Sequence, residues 1–434
     1  MDCEMENTVD IQNKKRAGRL AIASSCCGVT GEITLTDSAV IILFASALGA
    51  SDMLQLIMTS VLPFFNGLLV IPAAFFITLA GRKQLIAISC SLATLVYALA
   101  ASSPFFKGHE VGVLISMILL FGLSLPGFIS GWFPLLDSFL DSDKRTAYLG
   151  KMRFMHQATA MVFLFLISFV IGKSPSVGML QAVLFAGCII FSGRLFFISR
   201  IPDFPLVKKD LPWKEGLTAA MKNKRLTIFS VYQFVLNLLI YGTIPIATLY
   251  LKKGLCIQDN IIVFISGAAQ GGILLGYLAG GWLKRKFSTR MIFILLHVIP
   301  IPVNLGLFFI DGASTIELIL LTVLMMIAGV VVAASSIFCS AEMMSLAAAG
   351  NKTMAMAWSG AFFYCGVGGS RLVASFFLNS ERFNSLSSLG DLSVSGCQKL
   401  FLLYGLLLIP CILLLMRIPA VRKEKNEIQE TKVS

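Results

Sequence analysis

The sequence predicts an all-α integral membrane protein with twelve transmembrane helices arranged as two six-helix bundles. Of its 434 residues, 57% are hydrophobic and only 13% are charged, and the apolar residues fall into twelve long stretches. A bilayer-spanning helix needs about 20 apolar residues, because the hydrocarbon core is roughly 30 Å thick. Only helices and closed barrels satisfy their backbone polar groups in lipid. The stretches are too long and continuous for barrel strands, so they are predicted to be helices.

Each apolar stretch is long enough to cross a bilayer as one helix. The predicted spans, in chain order, are 21–48, 54–80, 84–103, 111–136, 154–172, 177–199, 226–250, 260–283, 291–310, 314–338, 353–378 and 400–416. The first stretch is too long, and too polar in its centre, for a cleaved signal peptide. Kinks are expected at the prolines within or beside spans, since proline interrupts the helical hydrogen-bond ladder.

The Lys and Arg residues predict the orientation of the chain. Of the 35, 27 lie in the two tails and in every second gap between spans, six lie in the other gaps, and two, Arg194 and Arg371, lie inside spans. Because cytoplasmic loops collect Lys and Arg, both termini are predicted to be cytoplasmic, in a multi-pass protein of the cytoplasmic membrane. Anionic lipid headgroups account for the net charge of +12, so no nucleic-acid partner is expected.

The longest hydrophilic stretch, rich in Pro and Lys, divides the chain into two halves of six spans. The predicted parts are an N-tail at 1–20, an N-terminal bundle at 21–199, a cytoplasmic linker at 200–225, a C-terminal bundle at 226–416 and a C-tail at 417–434. Two linked bundles that hold a substrate near the bilayer midplane are typical of major facilitator transporters.

The second gap resembles the signature of the major facilitator superfamily, Gly-x-x-x-Asp-Arg-x-Gly-Arg-Arg/Lys. The residues of the gap at 74–83 that match its end are Gly81, Arg82 and Lys83. Thr78 stands where the signature has its acid, and Arg285 stands there in the related eighth gap, at 281–290. In the family this acid helps latch the cytoplasmic helix ends together, so the resemblance implies a transporter that lacks the usual latch.

Two further stretches, 28–51 and 132–172, resemble a poorly characterised bacterial branch of the superfamily. The first contains Glu32 and Asp37 ahead of a Leu-Gly-Ala-Ser run. The second starts with Trp-Phe-Pro and contains Arg153 at the start of the fifth span. The resemblance implies a transporter and names no substrate.

Polar side chains concentrate in the first span, on two adjacent helical strips. One strip contains Ser25, Gly28, Glu32 and Thr36, and the other contains Thr30, Thr34 and Asp37. A charge at bilayer depth costs about 2.5 kcal/mol or more, so it usually faces a bundle interior or a water-filled cavity. One interpretation is that both strips line a central cavity where Glu32 or Asp37 exchanges a proton coupled to substrate movement. The alternative is a structural carboxylate bound to an Arg or to backbone donors of a neighbouring helix.

The fifth span begins with a polar face formed by Arg153, His156 and Gln157 at positions i, i+3 and i+4. Histidine titrates near neutral pH, so a proton or anion role for His156 is one interpretation. The alternative is that His156 makes an ordinary polar contact while Arg153 extends toward the headgroups.

The seventh span carries an uncharged hydrogen-bonding strip. Its members, at four-residue steps, are Gln233, Asn237 and Tyr241. They are candidates for the substrate pathway, and the alternative is that they only bond neighbouring helices.

The eleventh span carries a comparable stripe that includes Tyr364 and Arg371. Arg371 lies well inside the predicted span and needs a partner, for which a substrate anion and Glu32 are both candidates. Trp358 could stack on a flat ligand, or it could anchor the helix at the interface.

The predicted function is secondary transport of a small polar solute by alternating access, with proton coupling through a first-span carboxylate as the favoured mechanism. No nucleotide-binding loop, catalytic constellation or Cys/His metal cluster occurs, so neither an enzyme nor a cofactor is expected. The expected partners are the substrate, the lipid bilayer and protons. The alternatives are an efflux pump for amphipathic compounds and a non-transporting sensor or scaffold on a transporter-like fold.

Overall fold

The computed structural model describes residues 2–80, 82–140, 145–202, 204, 212–348, 350–381, 383, 388–389, 392–393 and 394–415. Several sequence predictions therefore fall outside the described residues. These are the ones on Gly81, on the side chain of Arg82, on the middle of the linker at 205–211 and on the C-tail.

The chain divides into two compact units. The first contains Met1–Lys209 and Gln258–Gly267, and the second contains Asp210–Ile257 and Ala268–Ser434. In the described residues, 11 helical segments are long and apolar enough to cross a membrane, and Gly396–Ile412 is a shorter apolar helix. The predicted class, an all-α protein with many transmembrane helices, is confirmed, and these segments are consistent with twelve spans.

The helices that precede the linker belong to the first unit. They are α1 (Asp2–Thr36), α2 (Ala39–Ala47), α3 (Asp52–Ala80), α4 (Arg82–Ala101), α5 (Glu110–Ser124), α6 (Pro126–Asp137), α7 (Arg145–Val170) and α8 (Val177–Ser199). A short 3-10 helix, Ser103–Phe105, follows α4. Helix α1 packs extensively on α8 and on α7.

The described helices that follow α8 begin with a short one, which lies inside the predicted linker at 200–225. They are α9 (Trp213–Lys222), α10 (Lys224–Ile240), α11 (Thr243–Lys253), α12 (Asp259–Lys286), α13 (Thr289–Val298), α14 (Pro300–Phe309), α15 (Thr315–Leu346), α16 (Lys352–Asn379) and α17 (Gly396–Leu415). A two-residue antiparallel pair, β1 (Ser388–Leu389) with β2 (Leu392–Ser393), lies between α16 and α17.

Several spans consist of two helices, and the sequence explains where they divide. Pro300 is the first residue of α14 and Pro126 the first of α6, positions where the missing N–H of proline is harmless. Helix α3 instead continues through Pro63 and Pro72. Ser38 separates α1 from α2, and its hydroxyl accepts a hydrogen bond from the N–H of Val40.

Glycines allow close helix packing in the second unit. A Cβ atom on Gly272 would lie 2.1 Å from the carbonyl oxygen of Met326, and one on Gly276 would lie 2.7 Å from Cβ of Ala333. On the facing helix, a Cβ atom on Gly329 would lie 2.3 Å from the carbonyl oxygen of Ala269. Helices α12 and α15 therefore approach backbone to backbone, as small residues allow in membrane proteins.

Candidate functional site

The carboxylate of Glu32 on α1 forms an ion pair with Arg194 on α8. Nη1 of Arg194 donates a hydrogen bond to Oε1 of Glu32. The Arg194 side chain is 1% exposed and the Glu32 side chain is 19% exposed. Because an unpaired charge is costly away from water, each group compensates the charge of the other. The acid keeps a partly accessible side, whereas the base is enclosed.

Aromatic rings enclose the guanidinium of Arg194. Its Cζ atom lies 4.1 Å from the ring centroid of Phe128 and 5.1 Å from that of Phe191. A cation at these distances is attracted by the negative face of a ring. Within the described residues, Nε of Arg194 is buried without a hydrogen-bond partner. The cation is therefore held by one carboxylate and two rings rather than by a full set of hydrogen bonds.

Because Gly28 has no side chain, the guanidinium of Arg194 can lie directly against the backbone of α1. A Cβ atom on Gly28 would lie 1.6 Å from Nε of Arg194, and one on Gly31 would lie 2.5 Å from Cβ of Phe191. The hydroxyl of Ser24 also donates to the backbone oxygen of Arg194 at 3.2 Å. The glycines that precede Glu32 thus bring α8 close enough to α1 for the ion pair to form.

The same helix meets α7 two turns before Glu32. Oγ of Ser25 lies 2.9 Å from Nδ1 of His156, and both side chains are largely covered by protein. Gln157, the next residue on α7, is buried. Ser25 and Glu32 are seven residues apart, which is about two helical turns and about 10 Å along the axis. The Ser25–His156 pair and the Glu32–Arg194 pair therefore lie along one side of α1.

The threonines of the first span bond to their own helix. Oγ1 of Thr34 donates to the carbonyl oxygen of Thr30 at 2.7 Å, and Oγ1 of Thr36 donates to that of Glu32 at 2.8 Å. Both threonines are buried, and Asp37 is half-buried just beyond the end of α1. A role for these three residues in a substrate pathway stays a prediction.

Gln233 and Asn237 lie in hydrogen-bonded contacts between helices of the second unit. Nε2 of Gln233 donates to the carbonyl oxygen of Ser359 at 2.6 Å and to its hydroxyl at 2.8 Å. That hydroxyl also accepts from Ser230 at 2.7 Å. Oδ1 of Asn237 accepts from the hydroxyl of Ser335 at 3.0 Å. Both side chains are fully buried, which is the arrangement expected of residues that join α10 to α15 and α16.

Two aromatic candidates of the second unit also bond to protein groups. The hydroxyl of Tyr241 donates to the carbonyl oxygen of Val332 at 3.2 Å. Nε1 of Trp358 donates to Oγ1 of Thr227 at 3.3 Å, and the indole packs on the ring of Phe362. Both aromatic side chains are half-buried.

Arg371 and Tyr364 lie on α16 in the second unit. Arg371 is buried and Tyr364 is half-buried. Glu32, one of the two candidate partners of Arg371, forms an ion pair with Arg194. Sequence reasoning did not assign that role to Arg194, although Arg194 and Arg371 are the two arginines inside predicted spans. The partner of Arg371 stays a prediction.

The end of the signature loop contacts the end of α8. Nζ of Lys83 donates to the carbonyl oxygen of Ile201 at 2.9 Å. Ile201 lies two residues beyond Ser199, the last residue of α8, so Lys83 binds a backbone oxygen of the segment that leaves this helix. Lys83 thus joins the start of α4 to the end of α8 within the first unit.

The fold and this site define a multi-pass helical membrane protein with an enclosed acid–base pair between its first and sixth apolar helical segments. The structure is similar to those of solved transporters, and the chain has the fold of the major facilitator superfamily. The predicted resemblance is therefore confirmed at the level of the fold.

Three crystal structures show the similarity. The nucleoside transporter NupG superposes with a TM-score of 0.59 at 15% identity, covering 95% of this chain and 99% of that chain. A point mutant of NupG gives 0.63 at 16% identity, with 94% and 100% covered. The major facilitator transporter FucP, in the outward conformation, gives 0.62 at 14% identity, with 93% and 97% covered. No family model and no curated protein matches the sequence.

Proposed function

We propose that this chain is a secondary active transporter that moves a small polar solute by alternating access, with Glu32 exchanging the coupling proton. The observation that carries the proposal is the unequal exposure of the Glu32–Arg194 pair. The acid is 19% exposed and the base 1% exposed, so a proton can reach the carboxylate while the guanidinium stays enclosed.

Protonation of Glu32 would change how α1 packs on α8. The ionised carboxylate binds Arg194, whereas the protonated carboxyl group no longer supplies a counter-charge. A buried guanidinium without its counter-ion is costly, so the protonated state favours any rearrangement that gives Arg194 another acceptor. A ligand can shift a conformational equilibrium only through such a difference in free energy between states.

The side chains along α1 and α7 favour a solute with hydroxyl or amide groups. Glu32, Ser25 and His156 offer hydrogen-bond donors and acceptors, and the charge of Glu32 is already paired with that of Arg194. A neutral polar solute needs no further counter-charge, which is the reason to favour it over an organic acid. Nucleosides belong in the first panel, because NupG, a nucleoside transporter, has the same fold.

We also propose how the chain is oriented in the membrane. We place both termini in the cytoplasm, the bundles at 21–199 and 226–416, and the linker at 200–225 on the cytoplasmic side of the cell membrane. The support is the charge pattern, with 27 of 35 Lys and Arg residues on that side. In a bacterial host, green fluorescent protein fused after Ser434 should fluoresce, and alkaline phosphatase fused there should be inactive. A dark fluorescent protein together with an active alkaline phosphatase would place the C-terminus outside the cytoplasm and contradict the proposed orientation.

The transport proposal is tested with the purified protein and a panel of nucleosides, sugars, amino acids and organic acids. A ligand at about 100 times its dissociation constant stabilises the folded state by roughly 2.7 kcal/mol, which a thermal unfolding assay detects. A solute that shifts unfolding should then accumulate in proteoliposomes under an imposed proton gradient, and a protonophore should abolish its accumulation. Binding without uptake or counterflow would contradict transport.

A further inference from the structure

Helix α9 is held where two membrane-spanning helices begin. Its last residue, Lys222, lies two positions before Lys224, where the next span starts. Nδ2 of Asn351, just ahead of α16, donates to the carbonyl oxygen of Gly216 on α9 at 2.7 Å. Because the spans of α10 and α16 start here, α9 lies at the depth of the lipid headgroups.

One face of α9 packs tightly on the second unit. A Cβ atom on Gly216 would lie 2.7 Å from Oδ1 of Asn351, so a larger residue here would force the Asn351 side chain to move. Ala220, one turn later, belongs to an apolar cluster with Leu226 and Ala355. These contacts fix which face of α9 points away from the protein.

The opposite face of α9 carries a cationic stripe. Lys214, Thr218 and Lys222 are exposed and follow one another at four-residue steps. With Glu215 and Ala219 they line a shallow concavity. Two ammonium groups and a hydroxyl face this concavity with one carboxylate, so its charge suits an anion.

An exposed apolar side chain lies beside the stripe. Met221 is 52% exposed and follows Thr218 by three residues, which places it on the same side of α9. Ile228, in the second turn of α10, is 45% exposed. Cations next to exposed apolar side chains are typical of helices that lie in the membrane interface. This combination favours a phospholipid over a free inorganic anion.

We propose that this face of α9 binds the headgroup of an anionic phospholipid. The lysines attract the phosphate as point charges, and Met221 contacts the glycerol and upper acyl chain. The Thr218 hydroxyl donates to the carbonyl oxygen of Lys214 at 2.8 Å, so it lines the site without bonding the phosphate. The contact would anchor the second half of the predicted linker at 200–225 to the membrane surface. It requires only that the protein is embedded in a bilayer, so it stands or fails independently of Glu32 and of solute transport.

The test is lipid binding to the full-length protein in an uncharged detergent, measured by native mass spectrometry. Dioleoyl phosphatidylglycerol should bind more tightly than dioleoyl phosphatidylcholine, and K214Q with K222Q should lower its affinity about tenfold. Lys15 and Arg16 are also exposed, so K15Q with R16Q is the control of equal charge and should leave the affinity unchanged. Equal binding of the two lipids, or an unchanged K214Q/K222Q variant, would overturn the proposal.

A second comparison distinguishes a lipid site from a simple anion site. Met221→Ser should weaken binding of phosphatidylglycerol without changing the charge of α9, and millimolar inorganic phosphate should fail to displace the lipid. If phosphate displaces the lipid and Met221→Ser has no effect, the face binds anions in general and the lipid proposal is wrong.

Discussion

Arg194 on α8 donates a hydrogen bond to Glu32 on α1, and the two side chains differ sharply in exposure. The pair joins helices whose interacting residues are 162 positions apart in the chain. Sequence placed both residues inside predicted spans but did not connect them. The contact depends on close packing of the two helices, which glycines on α1 allow, and Gly28 lies beside the guanidinium.

Replacement of Gly28 by alanine should break the pair. The added methyl group would lie 1.6 Å from Nε of Arg194, so the guanidinium must move away from Glu32. Breaking a buried ion pair typically costs about 3–5 kcal/mol, which should appear as a lower thermal unfolding temperature in detergent. Gly112→Ala is the control, because a Cβ atom at that helical position has no contact within 4 Å. Equal stability of the two variants would contradict the proposed role of Gly28.

The two partners of the pair should show strong coupling in a double-mutant cycle. Glu32→Gln leaves a buried guanidinium without its counter-ion, and Arg194→Met leaves the carboxylate without its donor. Each single variant should be destabilised by about 3 kcal/mol, and the double variant by clearly less than the sum. Thermal unfolding of all four proteins supplies the measurement. Strictly additive losses would mean that the charges do not stabilise one another.

Gln233→Leu should lower stability while leaving transport intact. The substitution removes the donor that Ser359 accepts and leaves buried polar groups unsatisfied, at a cost of about 1–3 kcal/mol. Gln258→Leu is the matched control, since that glutamine is exposed. Transport rate and unfolding temperature are measured on the same preparations. A selective loss of solute binding with unchanged stability would instead place Gln233 in the substrate site.

The spans were predictable because lipid imposes long apolar runs on any helix that crosses it. The strip of Gln233 and Asn237 was also predictable, since residues four apart share a helical face. What these residues contact was not predictable, because Ser359 and Ser335 come from helices that the tertiary fold brings together. The sequence left open whether these residues belong to a substrate pathway or only bond neighbouring helices. These two alternatives could be compared only once the hydrogen-bond partners were known.

The roles of the first-span residues show the same limit. Glu32 stood out because a carboxylate inside a span is costly. Thr34 and Thr36 share its helix, and the sequence did not reveal that their hydroxyls bond to carbonyl oxygens one turn earlier. Arg194 was visible as an in-span cation, but its partner depends on the packing of α1 against α8.

The most direct test of the account is proton-driven solute accumulation by Glu32→Gln and by Glu32→Gln combined with Arg194→Met. If Glu32 exchanges the coupling proton, both variants should lose accumulation above equilibrium, and solute counterflow without a gradient should persist in the double variant. Glu317→Gln, at a partly exposed helix-capping position, should accumulate solute like the unmodified protein. Accumulation restored in the double variant would show that the pair is structural, and the coupling role of Glu32 would be wrong.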